Sequence, residues 1–310
     1  MLSRRRVLLG AAAAGIARFV RAAVFDMPAG ACDCHVHIFG DARRFPFVPT
    51  RVYTPGPASI DELRALHRRL HISRVVIIQP SVYGTDNSCT LDAIHRIGPT
   101  SRGVAVIDAA TPDAALDEMN RAGIRGLRVN IATGGQADPS VSRQRLKVAV
   151  ERANGRNWHV QVNTGAAFIE RIHDDVMAAP VPFVFDHFGG AEAALGVDQP
   201  GFGALLKLLR AGKAYVKLSG AYRSSASGPP YSDVLPLAKA LIAANPQRML
   251  WGTDWPHPDS STVARRKPTD IADRLQVDDR LILDRLAVWA PDAALRATIL
   301  VENPARLYGF

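Results

Sequence analysis

Eight short apolar runs, each six to eight residues long and each followed by a helical pattern, constrain the fold of this chain more than any other feature. They fall at 31–38, 74–80, 102–107, 124–131, 158–163, 181–186, 214–219 and 248–253. Each run is nearly continuous rather than alternating, as expected of parallel strands covered on their outer face by helices. Their alternation with helices argues for repeated βα units. Eight units over roughly 280 residues match a (β/α)8 TIM barrel, for which about 250 residues is typical. The rival α/β architecture, a doubly wound open sheet, asks for Gly-x-Gly-x-x-Gly after the first strand and for polar residues gathered at one switch point. This chain has no such glycine pattern, and polar residues stand at the end of nearly every run.

The helical stretches carry start and stop signals. Ser59-Ile60-Asp61-Glu62 reads as a capping box ahead of Leu63, Leu66 and Leu70. Thr111-Pro112-Asp113 offers a cap, a proline at the first helical position and an early carboxylate before a helix that closes at Gly123. Asp138-Pro139 does the same for a helix that stops at Gly155. Further helices are expected at about 166–178, 201–211, 232–244, 280–288 and 292–301. The proline- and aromatic-rich segment 40–57 reads as a long irregular loop, which in a barrel lies over the mouth and can act as a lid. With no repeat, linker or second domain, residues 24–310 read as one barrel domain.

The first run, Ala31-Cys32-Asp33-Cys34-His35-Val36-His37-Ile38, is the unusual one. In a regular strand Asp33, His35 and His37 share one face, and Cys32, Cys34, Val36 and Ile38 the other. Burying two imidazoles and a carboxylate costs several kcal/mol unless each finds a partner. A metal or catalytic pocket is the natural reason to carry them inward, the competing reading being hydrogen-bonded core histidines. Cys32, Cys34 and Cys89 make no disulfide framework and read as small buried hydrophobes behind the barrel wall.

The net charge of +9 is less basic than it looks, because residues 1–23 hold five arginines and no acid, leaving +4 for the rest. No clustered basic face or aromatic-basic motif marks a nucleic-acid partner. Ser3-Arg4-Arg5-Arg6-Val7-Leu8-Leu9 resembles a twin-arginine export signal, with an apolar run to Ala17 and small residues at Ala22-Ala23. The run is too short and too rich in alanine and glycine to span a membrane. The expectation is a signal peptide over 1–23, recognition by the twin-arginine export machinery, and a periplasmic mature protein with no membrane segment. The alternatives are an uncleaved amphipathic anchor and a cytoplasmic location.

Catalytic residues of barrels come from the C-terminal ends of the strands. Here those ends supply His35 and His37; Gln79, Ser81, Tyr83 and Thr85; Arg128 and Asn130; Gln161 and Asn163; Asp186 and His187; Lys217, Ser219, Tyr222 and Arg223; and Asp254 and His257. Three histidines and an aspartate ringed by arginines suit general-base attack of water on an ester carbonyl. The planar fork of arginine suits a substrate carboxylate. His257 has a packing role against its flanking prolines as its simpler reading.

His35-x-His37, Asp186-His187-Phe188-Gly189-Gly190, Gly252-Thr253-Asp254-Trp255-Pro256 and Asn303-Pro304-Ala305-Arg306-Leu307-Tyr308-Gly309 together resemble the amidohydrolase superfamily. Within it they resemble the amidohydrolase-related group that includes the 2-pyrone-4,6-dicarboxylate lactonases and sugar-acid lactonases. The likeness covers about 25–310. It implies Asp254 as general base, with His35, His37 and His187 lining the reacting carbonyl. Arg128 and Arg223 would hold substrate carboxylates, Ser81 and Tyr83 would take hydroxyl-contact positions, and Asn163 would join them in binding substrate. Two departures from the lactonase pattern stand out: Gly134-Gly135 occupies the place of a second arginine, and Asp259 the place of an asparagine. Both argue against a dicarboxylate pyrone and for a lactone with one carboxylate or none.

The resemblance implies no required metal as first choice. The alternative is a single Zn²⁺ on His35, His37, His187 and Asp254 with a position open for water; Asn163 and Arg128 stand where a two-metal site would place a histidine and a bridging ligand. The expected function is thus a hydrolase that opens a lactone, preferably one bearing a carboxylate, on a small anionic substrate. The alternatives are a Zn-dependent decarboxylase or amide hydrolase of the same superfamily, and a non-catalytic periplasmic barrel that captures an anion. Oligomeric state is left open.

Overall fold

The computed structural model describes residues 25–133, 138–261 and 266–310, so the segment 1–23 expected to be an export signal and Gly134-Gly135 lie outside the described residues. Eight parallel strands form one sheet: β1 (Cys32–Val36), β2 (Arg74–Ile78), β3 (Ser101–Ala105), β4 (Ile124–Asn130), β5 (His159–Asn163), β6 (Phe183–Phe185), β7 (Ala214–Ser219) and β8 (Met249–Gly252). They pair strictly in chain order. β1 and β8 then meet through one parallel bridge, Val36 with Trp255. The His37 N–H donates to the Trp255 carbonyl at 2.8 Å, and the Asp254 N–H to that of His35 at 2.9 Å. The result is a nearly closed barrel with helices packed outside, consistent with the (β/α)8 architecture.

The helix signals hold with small shifts. The capping box forms in both directions: Ser59 Oγ accepts from the Glu62 N–H at 3.2 Å and Glu62 Oε2 from the Ser59 N–H at 2.7 Å. Pro112 takes the N-cap position of helix Asp113–Ala122 instead of its first turn, because Thr111 spends its hydroxyl on Asp108. The helix expected over 166–178 is two short ones, Ala166–Arg171 and His173–Ala178, broken at Ile172. Among the described residues no helix is long and apolar enough to cross a membrane.

The two faces of the sheet bury different layers. Val75 and Ile77 pack outward into one continuous core with Leu63, Leu66 and Leu70 of helix Ile60–Leu70. Cys32, Cys34, Val76, Ile78, Val104, Val184, Tyr215 and Leu250 come from six strands and cluster with Tyr308, which places them inside the barrel. This corrects the expected position of Cys32 and Cys34, which fill the barrel interior, whereas Cys89 sits behind the wall as expected, on helix Ser88–Ile97 in the outer core. What brings His35 to the same side is a break in the β1–β2 register between Asp33 and Val36. Such a bulge adds a residue to one strand and re-aims the side chains beyond it. Cys34 and His35 consequently both face inward, while Val36 joins the outer core with Val75 and Ile77.

Asp33, before the bulge, points away from the histidines. Its Oδ1 accepts from the Thr253 N–H at 2.9 Å, and its Oδ2 accepts from the Thr253 hydroxyl at 2.6 Å and lies 3.2 Å from His67 Nε2. Its work is to clamp β8 to β1 where the ladder is thinnest. The segment after β1 is pinned rather than loose: Phe39 and Ala58 exchange backbone hydrogen bonds, and Thr54–Pro55 pairs in parallel with Ile271–Ala272. It walls the C-terminal mouth of the barrel and delivers Tyr53 to the cavity there.

Candidate active site

The mouth holds a cavity of about 760 Å³ lined by His37, His187, Asp254, Arg128 and Arg223, among others. Asp254 organises it. The residue is fully buried and sits in the left-handed region at φ +67, where a non-glycine residue is strained. Its two oxygens have different lives. Oδ2 accepts from the Tyr222 hydroxyl at 2.6 Å and from Arg223 Nε at 2.6 Å. Oδ1 has no hydrogen-bond partner and faces three imidazole nitrogens: His35 Nε2 at 3.6 Å, His187 Nε2 at 3.9 Å and His37 Nε2 at 4.0 Å. Burial opposes the charge on Asp254, but the Arg223 guanidinium outweighs it and holds the carboxyl well below its usual range.

Each imidazole is oriented from behind. His37 Nδ1 lies 2.8 Å from the Ile78 carbonyl, which can only accept, so Nδ1 carries the proton and Nε2 presents a lone pair. His187 Nδ1 meets the Ser219 hydroxyl at 3.0 Å. His35 Nδ1 lies 3.3 Å from Asp186 Oδ1 and 3.4 Å from Lys217 Nζ. Burial pushes the pKa of all three below the ordinary imidazole value, that of His37 down to about 3, so all three rings are neutral near pH 7.

Beneath the imidazoles lies a second charged layer. Asp186 and Lys217 are wholly buried; Lys217 Nζ stands 3.4 Å from Asp186 Oδ1 and donates to Gln161 Oε1 at 2.7 Å. Asp186 Oδ2 accepts from Gln161 Nε2 at 3.1 Å and, at 3.4 Å, from Nε and Nη2 of Arg128. Lys217, Asp186 and Gln161 stand among the strand-end residues in the sequence but were given no role there, although a lysine inside an apolar strand was the visible signal.

The remaining expected residues separate. Ser81 lines the cavity, as does Asn163, whose Nδ2 donates to Asn130 Oδ1 at 3.1 Å. Arg128 lines it from one side with its charge partly committed to Asp186. Arg223, expected on a substrate carboxylate, is first the partner of Asp254. Tyr83 is not brought to the cavity wall: it is buried, its hydroxyl accepts from the Gly40 N–H at 3.1 Å, and its ring lies against Phe47. Tyr53 stands in its place at the wall beside Ser81, its hydroxyl pushed up to about 12 by burial. Asp259 at the rim is no bare anion, since Arg266 Nη1 meets it at 2.7 Å. That pairing weakens the electrostatic case against a dianionic substrate.

His35, His37 and Asp254 have donor atoms within 4.8 Å of one another, as do His35, His187 and Asp186. His35 Nε2 and Asp254 Oδ1 are buried without partners and aim at one point. Ligands around a tetrahedral Zn²⁺ with bonds of about 2.0–2.1 Å lie roughly 3.3 Å apart, so the observed 3.6–4.0 Å ring is slightly wide yet fits one ion. Arg128 and Lys217 put cations where a second ion would need anionic or neutral ligands.

A family model described as amidohydrolase matches residues 32–310. The 2-pyrone-4,6-dicarboxylate hydrolase of Comamonas testosteroni is 36% identical over 293 residues, which span 92% of this chain and 92% of the relative. The 4-sulfomuconolactone hydrolase of Rhizobium radiobacter is 37% identical over 290 residues, again 92% of each. The apo crystal structure of an Agrobacterium tumefaciens protein superposes with a TM-score of 0.79 at 29% identity, covering 93% of this chain and 99% of the other.

Proposed function

The chain belongs to the amidohydrolase family, and from that premise we propose that it is a hydrolase that opens a lactone bearing a carboxylate, with Asp254 as the base that activates water. The observation that carries this reading is the asymmetry of Asp254: one oxygen saturated by Tyr222 and Arg223, the other bare, buried and facing the cavity. A carboxylate fixed in this way keeps its unused lone pairs on the side where water and substrate must meet.

The substrate carboxylate sits against Arg128 and the outward guanidinium nitrogens of Arg223, with the ring ester over the imidazoles. Asp254 Oδ1 takes a proton as water attacks the carbonyl carbon, and returns it to the ring oxygen as the C–O bond breaks. His37, with its proton held on the Ile78 carbonyl, has none on Nε2 to offer an oxyanion. His187 does when Ser219 donates to its Nδ1, which leaves the ring proton on Nε2 beside the cavity. His187 is therefore the imidazole assigned to the developing oxyanion.

On this reading protein groups alone suffice, Arg128 and Lys217 already supplying cationic charge around the cluster. A single divalent metal is the alternative; His35, His37, His187 and Asp254 would hold it, and when bound it would lower the pKa of its water towards about 7. The proposal extends to the N-terminus: residues 1–23 act as a twin-arginine signal and the mature enzyme works in the periplasm, which N-terminal sequencing of the periplasmic form tests.

The deciding experiment follows proton release from a panel of lactones with parent and Asp254→Asn, after metal analysis and with or without chelator. A loss of about 10²–10⁴-fold in kcat is expected, the range for removing a general base. Equal rates in parent and variant refute the mechanism. Stoichiometric zinc and chelator-sensitive turnover would replace the metal-free version with the metal-assisted one.

A further inference from the structure

We infer that His257 and Asp279 are positioning residues for the reaction, acting on Asp254 through the hydroxyl of Tyr222; this rests on the assignment of Asp254 as base. His257 is buried in the loop after β8, in the left-handed region at φ +58. Its backbone is tied on both sides: the N–H donates to the Asp254 carbonyl at 3.1 Å, and the carbonyl accepts from the Leu275 N–H at 2.8 Å. Packing between Pro256 and Pro258 would need none of the polar contacts its ring makes. Nε2 lies 2.8 Å from Asp279 Oδ1, at the first residue of helix Asp279–Trp289. Nδ1 lies 3.4 Å from the Tyr222 hydroxyl, the two rings meeting edge-on at 5.4 Å and 85°. Tyr222 in turn reaches Asp254 Oδ2 at 2.6 Å.

Counting protons along this chain gives it a direction. Tyr222 has one hydroxyl proton, and the carboxylate of Asp254 can only accept, so the 2.6 Å contact takes that proton. The tyrosine oxygen is then left with lone pairs only, and His257 Nδ1 satisfies it by donating. Asp279 Oδ1, which can only accept, faces Nε2 on the other edge of the ring. The contacts from Asp279 Oδ1 through the His257 ring and the Tyr222 hydroxyl to Asp254 Oδ2 are thus matched donor to acceptor when the hydroxyl points at Asp254. Without His257 the Tyr222 oxygen loses its donor and is free to turn. Asp254 Oδ2 is then held by Arg223 alone, and the carboxylate can rotate Oδ1 away from the imidazoles. The pair never touches substrate; it sets where the base points.

The test is a double-mutant cycle on lactone hydrolysis. His257→Leu is expected to lower kcat about tenfold with KM nearly unchanged, and His257→Asn, whose amide N–H replaces the Nδ1 donor, to recover most of the loss. Asp279→Asn, partly buried at the N-terminal turn of its helix, should lower kcat several-fold at a temperature where a melting curve shows the variant fully folded, which guards against a variant that merely folds poorly. In a Tyr222→Phe background His257→Leu should change kcat by less than about twofold, because the wire is already cut. Equal factors in both backgrounds, or a rise in KM alone, overturn the inference. A readout independent of turnover is the downfield hydroxyl proton resonance of the short Tyr222–Asp254 bond: it moves upfield in His257→Leu if the inference holds, and an unmoved signal refutes it. A parent that opens no lactone but shows this shift would sink the function and leave the geometric coupling standing.

Discussion

Asp186→Asn tests the buried layer under the imidazoles, because it removes the single anion that Lys217, Arg128 and His35 all face. Lys217 and Asp186 are fully buried, and Lys217 keeps Gln161 Oε1 as its one short contact in the variant. Breaking a buried pair by deleting one partner costs about 3–5 kcal/mol. The contacts to Asp186 run from 3.1 to 3.4 Å, longer than good charge-assisted bonds, so the lower end applies. At about 2.1 cal/mol/K per residue over roughly 290 residues, an unfolding entropy near 0.6 kcal/mol/K converts about 3 kcal/mol into a melting point about 5 °C lower. Burial raises the Asp186 pKa, but Lys217 and His35 outweigh it and hold the carboxyl well below its ordinary value. A depressed carboxylate contributes stability that is present above its unfolded value of about 3.9 and lost as pH falls through the folded value. In calorimetry the gap between parent and variant should therefore be constant from about pH 5 to 8 and close below about pH 4. Adding Lys217→Met to Asp186→Asn should recover part of the loss, since neither charge is then left alone. A gap under about 1 °C at pH 7, or one that widens on acidification, refutes the reasoning.

Two further perturbations probe the binding side and the backbone. Arg128→Met should raise KM for a carboxylate-bearing lactone by about 10–100-fold and leave an uncharged lactone within about twofold, measured in the same proton-release assay; equal effects on both would remove Arg128 from substrate recognition. Gly252→Ala would set a Cβ 2.8 Å from both Cβ and N of His35, where the neighbour is strand backbone and cannot swing aside. A fall of at least about tenfold in kcat is expected, since displacements on this scale spoil reacting geometry; unchanged kinetics would show that the position of His35 is not critical.

Continuous apolar runs and capping signals made the barrel legible, because both depend on neighbours a few residues apart and the ladder repeats that local rule eight times. The same rule failed in β1, and the reason is physical. Strict alternation puts Asp33 with His35 and His37, but the register breaks after Asp33, sending that carboxylate to Thr253 and His67, His37 to the cavity wall, and His35 to a buried place against Asp254 Oδ1. No spacing within the strand reveals a bulge that exists only against its partner β2. The motif pointed to Asp254, yet the donors that fix its Oδ2 lie 31 and 32 residues earlier, on the short helix after β7.

His257 carries the argument furthest, since its neighbours in sequence are prolines and suggest packing, while its polar partners stand 22 and 35 residues away. Sequence proximity misread it for the same reason it misread Asp33: a closed barrel brings together the ends of strands that the chain keeps far apart. At the mouth of such a barrel the informative quantity for a polar residue is how its donors and acceptors are matched across strands. By that measure Asp254 Oδ1, buried and without a hydrogen-bond partner at the cavity wall, is where the chemistry has room to occur.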